Sequence, residues 1–97
     1  HVPSPSQTFL ALCVELSWDC DTVFALLLSE KGAVVLLGYF AAARVFVQEW
    51  DVRDALRFKA FAEKLLEKVS ATLEARLDQN TNSLLQYVAD ALHRVIG

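Results

Sequence analysis

The sequence predicts an all-α fold, a small five-helix bundle built around a central apolar helix at about residues 33–49. Three observations favour this fold class. The apolar run from Ala33 to Val47 contains one charge, Arg44, and is longer than the roughly 4–8 residues of a strand. It includes three consecutive alanines, which favour helix over strand. The stretch after Asp51 places apolar residues at helical spacing, with charged residues between them.

The prediction depends most on the central helix. A helix that is apolar on every side is normally buried, so we expect the other four helices to surround it. Gly38 and Ala42 lie four residues apart, a spacing that lets another backbone approach closely. This spacing predicts tight packing within the chain, and a seam between two copies is the alternative. A membrane span needs about 20 apolar residues, and because Arg44 interrupts this shorter run we do not predict one.

The other four helices are predicted from local patterns. Asp51 and Asp54 form a cap and an acidic first turn. Lys31-Gly32 predicts the end of the second helix, and the polar residues 78–83 predict a break before the last. The predicted ranges are Ser6 or Thr8 to Leu16, Thr22 to Glu30, Asp51 to about Leu77, and Leu84 to Ile96. The predicted inward residues are Phe9, Leu12, Cys13 and Leu16; Val23, Phe24, Leu27 and Leu28; Phe58, Phe61, Ala62, Leu65, Val69, Leu73 and Leu77; and Leu84, Leu85, Val88, Leu92 and Val95.

The domain organisation follows from length and composition. Residues 1–6, rich in proline and serine, are predicted to be a linker or disordered lead-in, and residues 7–97 a single helical domain. Hydrophobic residues make up 55% of the chain, more than a small domain can easily bury. We therefore expect the excess to be covered by a partner or a second copy, or the chain to be a piece of a larger domain. The absence of methionine favours the last of these.

The charged and reactive residues predict no enzyme, no cofactor and no metal site. His93 has no second ligand at metal spacing and is expected at the surface. Cys13 and Cys20 are expected to be buried, reduced thiols, which favours an intracellular and cytoplasmic protein. There is no glycine-rich phosphate loop. The net charge of -3 carries no basic footprint, so nucleic acid is not expected as a partner, and contact with a membrane is not predicted either.

The order of elements from residue 23 to residue 88 suggests a family. An apolar helix entered by Gly-x-Val-Val is followed by a bend, a longer amphipathic helix, a polar break and a short helix. The matching stretches are 32–43, 64–77, Asp78-Gln79 and 83–88. This pattern resembles the core hairpin of the B-cell-lymphoma (Bcl) apoptosis regulators, cellular and viral. Two motifs differ: the family's Asn-Trp-Gly-Arg has Ala33 in place of its arginine, and its Gly-Gly-Trp is replaced by Asn80-Thr81-Asn82.

The resemblance implies apoptosis regulation through a groove that takes an amphipathic partner helix. The floor of this groove would be the exposed side of the segment from Gly32 to Arg44, with part of the last helix near one end. Arg44 would reach the edge or pair with an acid, either from the partner or within the chain. The partner-binding residues implied in this way are Gly32, Val35, Tyr39, Arg44, Leu84, Leu85 and Tyr87.

Two other interpretations remain open. The chain also resembles the helical regulatory tail of fungal zinc-cluster transcription factors. That resemblance rests on Ser17-Trp18, Phe24, Leu27-Leu28, Val34 to Ala41, and Trp50. The third interpretation needs no family: a helical domain that forms homodimers to cover its excess apolar surface.

Overall fold

The computed structural model describes residues 20–97, and this part of the chain is all-helical, without strands. The predicted fold class is therefore confirmed. The described residues form four α-helices rather than five, because the predicted first helix and the lead-in 1–6 lie outside them. The helices are α1 (Cys20–Leu27), α2 (Glu30–Phe46), α3 (Val52–Glu74) and α4 (Gln79–Ile96), with a 3-10 turn at Val47–Glu49 between α2 and α3.

The last helix, and not the apolar one, packs most extensively within the described part of the bundle. α4 packs against both α3 and α2, while α1 lies against α2 and α3. The buried side of α4 consists of Leu85, Val88, Ala89 and Leu92. The prediction that α2 is central and surrounded does not hold among residues 20–97, because one side of α2 faces solvent. α4 can pack against two helices at once because its apolar stripe is wide enough to contact both.

The corner between α1 and α2 differs from the prediction. Gly32 does not end a helix: α1 ends at Leu27, and Gly32 lies in the first turn of α2. Ser29 is the N-cap, and its Oγ accepts a hydrogen bond from the Gly32 N–H at 3.1 Å. A serine before a helix satisfies one of the amides that the first turn leaves unpaired, and this local signal determines where α2 begins.

α3 begins as predicted and ends early. The Asp51 carboxylate accepts a hydrogen bond from the Asp54 N–H at 2.8 Å, which confirms the predicted cap. The predicted stripe is buried at Phe58, Ala62, Leu65 and Val69. The helix ends at Glu74, and Arg76 follows with a φ of 53° in the left-handed region. Leu77, predicted to lie inward, is therefore past the helix end and exposed.

α4 begins five residues earlier than predicted, at Gln79. Asp78 is its N-cap, accepting from the Thr81 N–H at 2.9 Å and from the Thr81 hydroxyl at 2.7 Å. Asn82 Nδ2 donates to the Leu77 carbonyl at 2.9 Å. The polar residues after Asp78 therefore form the first turn of the helix instead of a break. Such side chains compete with a helix in its interior but stabilise its start.

α1 is fixed to the middle of α3. Cys20 is buried as predicted, with its Sγ 3.8 Å from the Phe61 carbonyl oxygen, and Cys13 lies outside the described residues. Asp21 and Lys68 form an ion pair at the surface, a type of contact that contributes little to stability. No single described helix is both long and apolar enough to cross a bilayer. α1 and residues 31–45 meet those criteria only as a pair, and this pair is bent by 118°.

Candidate protein-interaction surface

α2 has two apolar sides, and the described residues, 20–97, pack against one of them. Ala33, Leu36, Phe40 and Ala43 recur at spacings of three and four residues, so they lie on one side of the helix and are buried. The residues on the opposite side are also apolar, with one lysine at the start of the row. We call this second side the outer face of α2; it consists of Lys31, Val34, Val35, Gly38, Ala41, Ala42 and Val45.

The outer face of α2 is open to solvent along most of its length. Val34, Val35 and Val45 are 63%, 54% and 60% exposed. Gly38 and Ala41 are exposed as well, and Ala42 is half-buried. A surface helix normally presents polar and charged residues on its solvent side. Contiguous apolar surface that remains uncovered is typical of a site where another molecule binds.

Gly38 is exposed in the middle of the outer face. A Cβ placed on this glycine would meet no described heavy atom within 4 Å. The prediction of tight packing within the chain at Gly38 and Ala42 is therefore wrong for the part of the chain that the structure describes. Between the valines the outer face carries only small residues, Gly38, Ala41 and Ala42.

Charged residues lie at the two ends of the outer face. Lys31 is exposed near the start of α2, and Glu49 is exposed in the turn that follows the helix. Arg44 is exposed near the end of α2 but lies one turn after Phe40, away from the outer face. No carboxylate among the described residues lies within 4 Å of its guanidinium. Of the two arrangements expected for Arg44, the internal ion pair is therefore not found among the described residues.

The structure separates the predicted partner-binding residues of α2. Val35 lies on the outer face. Tyr39 is half-buried and packs against the hydrophobic core. Gly32 is half-buried at the corner with α1, where its backbone contacts the Ser29 cap. Gly32 therefore contributes to the corner between α1 and α2, and Val35 contributes to the accessible outer face.

The predicted partner-binding residues of α4 have three different surroundings. Leu85 is fully buried, so it belongs to the core and is not accessible to a partner. Leu84 lines a groove of ≈ 450 Å³ together with Leu28. Tyr87 is exposed and lines a different groove of ≈ 560 Å³, beside Leu73 of α3. At about 100° per residue, Leu85 is turned away from both Leu84 and Tyr87. Leu84 and Tyr87 line separate grooves, so the three residues do not form one end of a common groove.

A third groove lies between α3 and α4 and is acidic. It has a volume of ≈ 580 Å³, and Leu66 and Ile96 contribute its apolar surface. His93 lies at its rim and is exposed, as predicted. The acidic residues are Glu63, Glu67 and Glu74, which follow one another at helical spacing on α3. This spacing is typical of the solvated side of an amphipathic helix. Within residues 20–97, no three His, Cys, Asp or Glu side chains are close enough to hold a metal ion.

Two of the three exposed valines of the outer face, Val34 and Val45, were not predicted as partner-binding residues. A signal for them exists within the apolar run. The buried side of α2 carries Leu36 and Phe40, while the outer face carries only valine, alanine and glycine apart from Lys31. Sorting the run by side-chain size at helical spacing divides it into a bulky side and a small side. The bulky side is the one that fills a core.

Comparisons with known proteins add no assignment. No family model, no curated protein and no solved structure matches the chain. The resemblance to the Bcl apoptosis regulators therefore stays a prediction.

Proposed function

We propose that this chain is a helical protein–protein interaction module whose outer face of α2 binds an amphipathic helix. The observation that carries the proposal is the exposure of Val34, Val35 and Val45 on one side of a helix whose other side already fills the core. Binding of a helix to a complementary apolar surface is a common mode of recognition. No catalytic step is assigned to this surface, which consists of aliphatic side chains and one lysine.

The shape of the outer face suits a helix. Gly38 and Ala41 lie between the valines, so a partner backbone can approach closely at the middle while its apolar side chains pack beside Val34 and Val45. Burying the exposed part of each valine contributes on the order of 1 kcal/mol. An apolar surface of this length supports association only when the partner presents a matching apolar stripe.

Apoptosis regulation is the specific pathway that the Bcl resemblance suggests. In that interpretation the partner is a death-motif helix, and the groove floor is the exposed side of α2. Ala33 replaces the family's arginine and is buried, so it offers no charge to a partner. Lys31 is the exposed cation at the start of the same surface, and it favours an acidic residue on the bound helix.

A titration tests the proposed function. Fluorescently labelled death-motif peptides are titrated with the protein while anisotropy is recorded. We expect saturable binding below about 100 μM. Val34→Asp and Val45→Lys are expected to weaken binding at least tenfold, since each places a charge on the apolar face. Both valines are more than half exposed, so either charge is expected to leave the fold intact, and circular dichroism of each variant checks this.

The matched control is Val52→Asp on α3. Val52 is 75% exposed, even more than Val34, and it lies outside the outer face of α2. The proposal expects this variant to bind like the wild type. Equal loss of binding in all three variants, or no binding at about 100 μM, would contradict it.

A further inference from the structure

We propose that the helix bound by the outer face of α2 is α2 of a second copy, running antiparallel about a two-fold axis. This inference rests on the proposed function and names its partner. Three features support it: the spacing of the residues at the centre of the face, their order along it, and the charges at its two ends.

The spacing along the centre of the outer face is that of a coiled coil. Six residues follow one another at intervals of four, three, four, three and four, which is the repeat that keeps an apolar seam against a second helix. They are Lys31, Val35, Gly38, Ala42, Val45 and, just beyond the helix, Glu49. Val34 and Ala41 flank this row. At Gly38, in the middle of this row, an added Cβ would meet no described atom within 4 Å. The described residues therefore leave room for a second helix at this point.

The order of residues along the seam matches its own reverse. In an antiparallel pair of identical helices, residue i of one copy faces residue j of the other, and j faces i. In one register Val35 faces Val45 of the second copy and Gly38 faces Ala42. The small residues then meet at the middle, where the two backbones approach most closely, and a pair of valines lies on each side of them. The same pairing occurs twice, once on each side of the axis.

The charges at the two ends favour this direction. In the same register Lys31 of one copy faces Glu49 of the other, and both residues are exposed in the single chain. A parallel pair would instead place Lys31 opposite Lys31 and Glu49 opposite Glu49. Opposite charges across an interface select one arrangement over another more than they add affinity. The pairing of Lys31 with Glu49 therefore favours the antiparallel dimer over the parallel one.

The size of the seam determines how tight the dimer is. From Lys31 to Glu49 the seam is about 27 Å long at 1.5 Å per residue. One helix face on each side places the contact at the low end of stable protein interfaces. We therefore expect a monomer–dimer equilibrium at micromolar concentration.

Sedimentation equilibrium between about 1 and 300 μM measures this equilibrium directly. The decisive variant is Gly38→Leu. A Cβ at this position meets no described atom within 4 Å, and leucine is a better helix former than glycine, so we expect the monomer to stay folded. At the centre of the seam, however, leucine holds the two backbones apart. We expect the thermal midpoint at low protein concentration to be unchanged or higher, and the dimer dissociation constant to rise at least tenfold.

The matched control for Gly38→Leu is Ala60→Leu. Ala60 is an exposed residue in the interior of α3, so this variant adds the same side chain to a helix surface elsewhere. It is expected to leave the dissociation constant unchanged. Equal effects of the two variants would overturn the proposed seam.

An exchange of charges tests the direction. Lys31→Glu and Glu49→Lys each place like charges opposite each other in the antiparallel dimer, so each is expected to raise the dissociation constant. The double variant restores two opposite pairs and is expected to return the constant to the wild-type value. In a parallel dimer the double variant would only exchange one pair of like charges for the other. Failure of the double variant to recover therefore overturns the antiparallel arrangement.

The two proposals fail in distinguishable ways. If the wild-type chain is monomeric at all concentrations while Val34→Asp still abolishes peptide binding, the second copy is overturned and the proposed function stands. If the chain is monomeric and binds no helical peptide, both are overturned. Dimerisation that Gly38→Leu weakens and Ala60→Leu does not is the expected result.

Discussion

A Cβ on Gly32 would clash with the backbone carbonyl oxygen of Leu26. The Ser29 Oγ lies 2.6 Å from the same position, and it donates to that Leu26 oxygen at 2.8 Å. Two hydrogen-bonded groups therefore occupy the space that a side chain at residue 32 would need. This contact is what allows the chain to turn from α1 into α2 with a bend of 118° and little intervening sequence.

We expect Gly32→Ala to destabilise the fold by roughly 1–3 kcal/mol, the usual result of forcing extra atoms into a packed site. The obstacle is backbone, which cannot move aside as the end of a flexible side chain can. Urea denaturation followed by circular dichroism measures the change. Gly38→Ala in the same helix is the matched control and is expected to gain roughly 0.5–1 kcal/mol, because its Cβ meets no described atom. Equal effects of the two substitutions would contradict the described corner.

Leu85 and Tyr87 are two residues apart on α4 and have opposite surroundings. Leu85 is fully buried, so Leu85→Ala is expected to cost roughly 2–5 kcal/mol through lost contacts and a cavity. Tyr87 is 66% exposed, and Tyr87→Ala is expected to change stability by less than about 0.5 kcal/mol. Denaturant midpoints at a fixed slope give both values. A large loss in Tyr87→Ala would show that α4 is rotated relative to the arrangement described here.

Local signals in the sequence predicted much of this fold. The Asp51 cap and the stripe of Phe58, Ala62, Leu65 and Val69 needed only helical spacing and the chemistry of capping, and both are present. The helix boundaries that were predicted wrongly lie at residues whose type is common both at the end of a helix and at its start. Glycine after lysine often ends a helix, but Gly32 is instead required inside a first turn by the close approach of Leu26.

The position of α2 could not be predicted from its own residues. A run that is apolar on every side predicts burial, yet whether the rest of the chain can cover all of it depends on how the other helices pack. Here α4 covers the side with Leu36 and Phe40, and Val34 and Val35 remain exposed. The candidate surface is therefore a property of packing. Of the residues predicted for it from the sequence, Val35 lies on it.

Trp50 has a buried indole N–H without an acceptor among residues 20–97. Its ring packs edge-to-face on Phe58, with centroids 5.3 Å apart. An unsatisfied buried donor costs about 1–3 kcal/mol, so Trp50→Phe removes a penalty while it keeps an aromatic contact. We expect Trp50→Phe to stay within about 1 kcal/mol of the wild type in urea denaturation, because this gain offsets the smaller ring. Trp50→Ala loses the ring contact as well and is expected to be clearly less stable. Equal losses in both variants would show that the N–H is satisfied.

The stability that Asp78 gives to the start of α4 depends on pH. Hydrogen bonds from the Thr81 hydroxyl, and then from the Thr81 N–H, lower the pKa of the Asp78 carboxyl below its usual 3.8. A carboxyl whose pKa is lower in the folded state stabilises the fold above the unfolded pKa, and this contribution is lost as the pH falls through the folded pKa. We expect Asp78→Asn, which keeps a capping side chain but has no charge, to be less stable than the wild type at pH 7. The difference is expected to shrink below pH 3.8 and vanish once the wild-type carboxyl is protonated. Thermal unfolding of both proteins from neutral to acidic pH measures this difference, and a constant gap across that range would exclude the proposed link.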